Sequence, residues 1–96
     1  MNYPDYAFMC KALGDETRIK IFDMLKNGKM CACNILEKFE ITQPTLSYHM
    51  KMLCDCSLVM SEKQGKWIHY SINQETLKKL NDFINSAVSN KKDNCC

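Results

Sequence analysis

Cysteines stand out first. The chain has 96 residues and 7 of them are cysteine, mostly in pairs. Cys31 and Cys33 form one C-x-C, Cys54 and Cys56 form a second, Cys95 and Cys96 are adjacent, and Cys10 stands alone. An odd count, with no basic and apolar leader at the N-terminus, argues against the disulfide framework of a secreted domain. The expected location is the cytoplasm, where thiols stay reduced and serve as ligands for soft ions or as redox sensors.

Spacing sharpens the reading of the first pair. A helix is expected from Cys31 to about Phe39, which puts both thiols at its N-terminus, where the helix dipole favours the thiolate. On a regular helix, residues two apart point to nearly opposite sides. One ion gripped by both would therefore distort the first turn. Cys10, on the first expected helix, reads as a small packed hydrophobe. Cys54 and Cys56 fall where a helix gives way to a strand. Packing, a second thiol site and redox activity all remain open for them.

The elements that must position these thiols can be read from periodicity and caps. Residues 5–13 suggest a short helix closed by Gly14. Asp15 suits the N-cap of a second helix, Glu16 to Lys26, stopped by Asn27-Gly28. After the helix that starts at Cys31, Thr42 can cap a fourth, with Pro44 in its first turn. Leu46, Met50 and Leu53 recur at spacings of four and three, an inward stripe. Two strands, Leu58 to Lys63 and Lys66 to Ile72, flank Gln64-Gly65 and suggest a hairpin. A last helix, Gln74 to about Val88, carries the stripe Leu77, Leu80, Phe83, Ile84, Ala87 and Val88.

Together these predict one mainly α domain with a β-hairpin, a winged helix-turn-helix over residues 1–88, followed by a flexible cysteine-ending tail, 89–96. Two apolar faces, Tyr6-Met9-Leu13 and Leu77-Leu80-Ile84-Val88, are more than one small domain covers, which predicts a homodimer built on the first and last helices. No apolar run is long enough for a membrane span. Net charge is only +2, so partners must be argued from where the charges sit.

That placement favours double-stranded DNA. With the stripe of the fourth helix inward, Thr45, Ser47, Tyr48 and Lys51 face outward, and Gln43 lies at the N-terminal end that usually meets base edges. Gln can bridge adenine, Ser and Thr bond bases or phosphate, and Lys pairs with phosphate. Lys63, Gln64 and Lys66 make the hairpin tip a short basic finger. His49 borders the inward stripe and is expected to pack rather than touch bases. His69 is open to either reading.

Four ordered runs carry a family resemblance. Lys11-Ala-Leu-Gly-Asp-Glu-Thr-Arg-Ile-Lys-Ile-Phe, Ile41-Thr-Gln-Pro-Thr-Leu-Ser-Tyr-His-Met-Lys-Met-Leu, Gly65-Lys-Trp-Ile-His-Tyr-Ser-Ile and Cys31-Ala-Cys33 resemble, in turn, the opening, the recognition helix, the wing and the thiol pair of the ArsR/SmtB repressors, arsenic-responsive branch. The resemblance spans about residues 8–88. It implies operator binding as a dimer without ligand, and release when ligand binds. The inducer it implies is arsenite or antimonite, with cadmium or lead as further soft candidates, and no obligatory cofactor. Trivalent arsenic favours three thiolates in a shallow pyramid. One familiar pattern of that branch has a third cysteine where this chain has Leu36. Cys95, Cys96 or Cys10 would then have to supply a third ligand to the Cys31–Cys33 pair. The last helix has only Glu75 and Asp82 as acids and no histidine, unlike the zinc-responsive branch.

Other functions fit less of the sequence. The same fold could sense oxidants or reactive sulfur through disulfides or persulfides. A thiol metal-binding or redox protein without DNA binding would leave the basic wing without purpose, and no C-x-x-C is present. Structural zinc on both C-x-C pairs would require them to converge. With two histidines and no nucleophile motif, an enzyme is not expected.

Overall fold

The computed structural model describes residues 1–88. Cys95 and Cys96 lie outside the described residues, as does the expected tail.

Helix α1 spans Tyr3–Leu13. It begins two residues earlier than the sequence suggests. Asn2 and Asp5 form a reciprocal capping box, and Pro4 sits in the first turn, where its missing N–H is not needed. Helix α2, Glu16–Leu25, is capped as expected by Asp15, which accepts from the Arg18 N–H at 3.1 Å.

The next segment departs from expectation. Met30–Cys31 is a short strand, β1, and helix α3 covers only Ala32–Leu36. Cys31 is the N-cap of α3, with an extended backbone (φ −72°, ψ 145°), not a helical residue. The turn that was expected to continue the helix to Phe39 closes with the Phe39 N–H donating to the Leu36 carbonyl.

Helix α4, Gln43–Asp55, is capped by the Thr42 side chain. Strands β2, Val59–Gln64, and β3, Trp67–Ile72, follow. Gln64 pairs with Trp67, so the two-residue connection is Gly65-Lys66, one residue later than predicted. Gly65 has φ 65°, which a side chain would strain. Helix α5, Gln74–Asn85, is capped by Asn73.

The hairpin is part of a three-stranded antiparallel sheet, ordered β1-β3-β2. Met30 pairs with Tyr70 and Cys31 with His69. On the other side of β3, Tyr70 faces Ser61 and His69 faces Glu62. Lys29 reaches across to Glu62, Nζ to Oε1 3.0 Å, so β1 is tied to the wing by backbone pairing and a surface ion pair.

The core joins α1, α2, α4 and the sheet through Met9, Ile21, Leu25, Leu46, Met50, Leu53, Leu58 and Tyr70. Leu46, Met50 and Leu53 are buried, as their spacing requires. Met9 and Leu80 are also buried within the one subunit. Each belongs to one of the two faces expected to be uncovered, and that expectation is corrected for these two residues, while Ile84 and Val88 of the second face remain exposed. What stays outside is Tyr3, Phe8, Phe83, Ile84 and Val88, while Tyr6 stacks on Phe83 with ring centroids 4.0 Å apart. Among the described residues no helix is long and apolar enough to cross a membrane.

Candidate nucleic-acid interface and thiol pair

Helix α4 presents Gln43, Thr45, Ser47, Tyr48 and Lys51 to solvent. Its buried stripe fixes that rotation, since Leu46, Met50 and Leu53 must face the core. The Thr42 and Thr45 hydroxyls are 3.0 Å apart, so Thr45 is held beside the cap. Lys51 is not fully available, because its ammonium lies 3.1 Å from Asp55 Oδ2. Both groups are exposed, and a pair of that kind is weak enough for a phosphate to compete. Lys63, Gln64 and Lys66 are exposed at the hairpin tip, and neither lysine forms an ion pair among the described residues.

A buried arginine orients this helix, and no sequence pattern announces it. Arg18 of α2 is 9% exposed. Its Nε donates to the Ala12 carbonyl at 2.7 Å, and Nη1 lies 3.0 Å from His49 Nδ1 on α4. Asp15 Oδ2 stands 3.9 Å from the same ring nitrogen. His49 therefore packs against the body of the protein, as its border position suggests. His69 lies on β3 between Cys31 and Glu62, with its Nδ1 buried and unbonded.

The thiols of Cys31 and Cys33 are already together. Their sulfurs are 2.9 Å apart, because one residue ends a strand and the other lies in the first turn of a helix. The expected helical divergence does not occur, so gripping one atom needs no distortion of α3. The two thiols also differ. The hydrogen bond from Cys33, helped by the Cys33 and Asn34 N–H groups, holds the Cys31 thiol below the usual thiol range. The same hydrogen bond pushes Cys33 up, so the expectation that both ionise readily holds for Cys31 alone.

The other cysteines stand apart from this pair. Cys10 is exposed on α1 rather than packed. Cys56 is buried at the end of α4, its thiol 3.3 Å from the Leu53 carbonyl that accepts from it, and Cys54 is half-buried. Burial pushes both thiols up. Among the described residues no group of three His, Cys, Asp or Glu side chains comes together in a metal-holding arrangement. The two C-x-C pairs therefore do not converge on a shared zinc site, and Cys10 does not complete the first pair within one subunit.

A cleft of about 220 Å³ runs between α3, α4 and the wing, and of the thiol pair only Cys33 lines it. Ala32, Cys33 and Leu36 of α3 form one side, and Gln43, Leu46 and Ser47 of α4 another. The wing closes it with Lys66, Trp67, Ile68 and Tyr70.

Two successive helices, the second exposed and polar on its outer face, followed by a basic hairpin, define a winged helix-turn-helix regulator. The sequence comparisons agree. The family described as "Bacterial regulatory protein, arsR family" matches residues 15–61. The chain is 42% identical over 90 residues to an arsenical resistance operon repressor of Staphylococcus xylosus, covering 91% of this chain and 86% of that protein. It is 40% identical over 85 residues to the arsenical resistance operon repressor of Staphylococcus aureus, covering 88% and 82%. An ArsR-like transcriptional regulator from Rhodococcus sp. RHA1 superposes with a TM-score of 0.78 at 27% identity, over 88% of this chain and 80% of that one. The chain belongs to the arsR family of bacterial regulatory proteins. Its relatives and fold neighbours are transcriptional regulators, not enzymes.

Proposed function

We propose that the protein is a homodimeric repressor that binds operator DNA and releases it when arsenite or antimonite is captured by Cys31 and Cys33. The carrying observation is the 2.9 Å approach of the two sulfurs at a helix whose side chains share a cleft with α4 and the wing. Gln43, Thr45, Ser47 and Tyr48 read the operator, and Lys51, Lys63, Gln64 and Lys66 hold its backbone. The names of the two staphylococcal relatives at 42% and 40% identity favour an arsenic compound over cadmium or lead as inducer.

Release follows from linkage. A ligand on the thiols and DNA on α4 both act on the α3–α4–wing cleft, and a difference in the cleft between the two states makes them antagonists. The ligand acts through that shared cleft, with no unwinding of α3. A third thiolate, where used, comes from Cys95 or Cys96, or from Cys10 of the partner subunit.

The test is fluorescence anisotropy of an operator fragment selected from random sequence by the protein itself. Arsenite should release the unmodified protein and leave the Cys31→Ser/Cys33→Ser variant bound. A double variant that still dissociates at the same arsenite concentration refutes the site. The same sulfur approach favours a second reading, oxidation of the pair to a disulfide by a peroxide. Peroxide that releases DNA where arsenite does not would establish that reading instead.

A further inference from the structure

Trp67 is the chain's one tryptophan, and it is 51% exposed. It opens β3 directly after Lys66 of the hairpin turn, and its partner across the ladder is Gln64. A half-exposed indole leaves a large apolar surface in water. Trp67 belongs to neither of the helices expected to pair the subunits, so that pairing gives no reason for its exposure. Its surroundings point elsewhere. Trp67 lines the cleft between α4 and the wing, with Gln43 and Ser47 on the α4 wall and Lys66 beside it. Lys63 stands on the neighbouring strand, opposite Ile68. Neither lysine forms an ion pair among the described residues, and Glu62 of β2 is engaged by Lys29.

In duplex DNA a sugar–phosphate strand separates the major groove from the minor groove. With α4 in the major groove and the hairpin tip beyond that strand, the strand crosses this cleft. Its phosphates are anionic and suit the free lysines. The deoxyribose between phosphates is its apolar part, and Trp67 is the aromatic surface that the wing turns to the cleft. We propose that Trp67 is a DNA-contact residue whose indole packs on a deoxyribose of the strand passing between α4 and the wing. The inference deepens the reading of the chain as an operator-binding repressor and rests on it. Such a contact takes apolar surface out of water and releases no counterion. Its contribution is therefore independent of both salt and base sequence, unlike that of Lys63, Lys66 or Gln43.

The experiment uses the reduced, full-length protein and a duplex operator that the protein itself selects from random sequence. Acrylamide quenching of the Trp67 lifetime reads its accessibility, and the operator should lower the quenching constant. Covering about 50 Å² of the ring is worth about tenfold in affinity. Trp67→Ala should therefore weaken binding about tenfold to operator and scrambled duplex alike, with the slope of log K against log salt unchanged. Trp67→Phe should recover part of the loss. The quenching is measured on the unmodified protein, so the test does not depend on how well Trp67→Ala folds. A quenching constant that DNA leaves unchanged overturns the proposal, including one already low in the DNA-free dimer, which would mean that the partner subunit covers the ring. So does a Trp67→Ala loss that alters the salt slope, or one confined to the selected operator, which would mean that Trp67 reads bases. In each of these cases DNA binding by the unmodified protein stands. An unmodified protein that binds no duplex removes the repressor reading itself, and this proposal with it.

Discussion

Arg18 Nη1 lies 3.0 Å from His49 Nδ1, and this contact joins α2 to the helix that would read DNA. Arg18 is buried, and its Nε also satisfies the Ala12 carbonyl at the end of α1. One side chain therefore fixes three helices relative to one another. Arg18→Ala should cost about 2–3 kcal/mol, since it leaves buried acceptors unpaired. Urea unfolding measures it, and a loss within experimental error of zero would count against the role. His49→Ala should cost less, because Arg18 keeps its carbonyl.

Asp15 should give the protein an acid-sensitive step. Its carboxylate accepts from the Arg18 backbone N–H, and this bond, with the nearby Arg18 and His49 charges, outweighs burial and lowers its pKa from the ordinary 3.8. A depressed folded pKa means that the unfolded chain binds more protons in that window. The stabilisation is therefore present above about pH 4 and is lost as pH falls through the lower, folded value. Asp15→Asn should keep the cap and flatten the loss of stability below about pH 4, while Asp15→Ala should cost about 1 kcal/mol at neutral pH. Urea midpoints measured down the pH scale would show both.

Thiol reactivity should follow local hydrogen bonding rather than the number of nearby cysteines. Iodoacetamide at limiting amounts should modify Cys31 ahead of Cys54 and Cys56, whose thiols burial pushes up. Cys33→Ala removes the main donor to Cys31 and should slow Cys31 alkylation near neutral pH, whereas Cys33→Ser should retain part of the effect. Peptide mass spectrometry reads the order. Equal rates for Cys31 and Cys56 would contradict it.

Association of two subunits should depend on residues that remain outside the core. Ile84 is 53% exposed on α5 and Phe8 39% exposed on α1, so Ile84→Asp and Phe8→Asp should yield folded monomers. Leu80 is 4% exposed, so Leu80→Asp should unfold the subunit instead. Sedimentation with circular dichroism separates the outcomes, and a monomeric unmodified protein at micromolar concentration would rule out this dimer.

The two DNA-facing elements should fail in different ways. A dimer should require half-sites about 34 Å apart, or a multiple of that spacing. Gln43→Ala or Ser47→Ala should relax the preferred sequence. Lys63→Ala and Lys66→Ala should weaken every sequence alike, each lowering the slope of log K against log salt by about one. Anisotropy with matched and scrambled operators distinguishes the roles. Wing variants that change sequence choice, with helix variants that do not, would reverse the assignment.

The start and the rotation of helix α4 were legible in the sequence, because everything that defines them is local. Thr42 caps it, Pro44 fits its first turn, and Leu46, Met50 and Leu53 repeat at the helical period, so its outward residues follow. The four runs resembling a repressor family likewise lie within continuous stretches. Strand β1 was not legible, since two residues carry no period and Met30–Cys31 is a strand only because β3 pairs with it. That pairing moves Cys31 out of the helix and brings its sulfur onto Cys33. Arg18 was unreadable for a similar reason, as its partners Ala12 and His49 meet only when three helices pack. The cleft between Leu36, Ser47 and Trp67 likewise joins residues distant in the chain. Sequence alone thus determined which side chains of α4 face outward and which cysteines are neighbours in the chain. Tertiary packing decided that the two sulfurs converge and what surrounds them, because contacts between separate segments leave no periodic trace in either one.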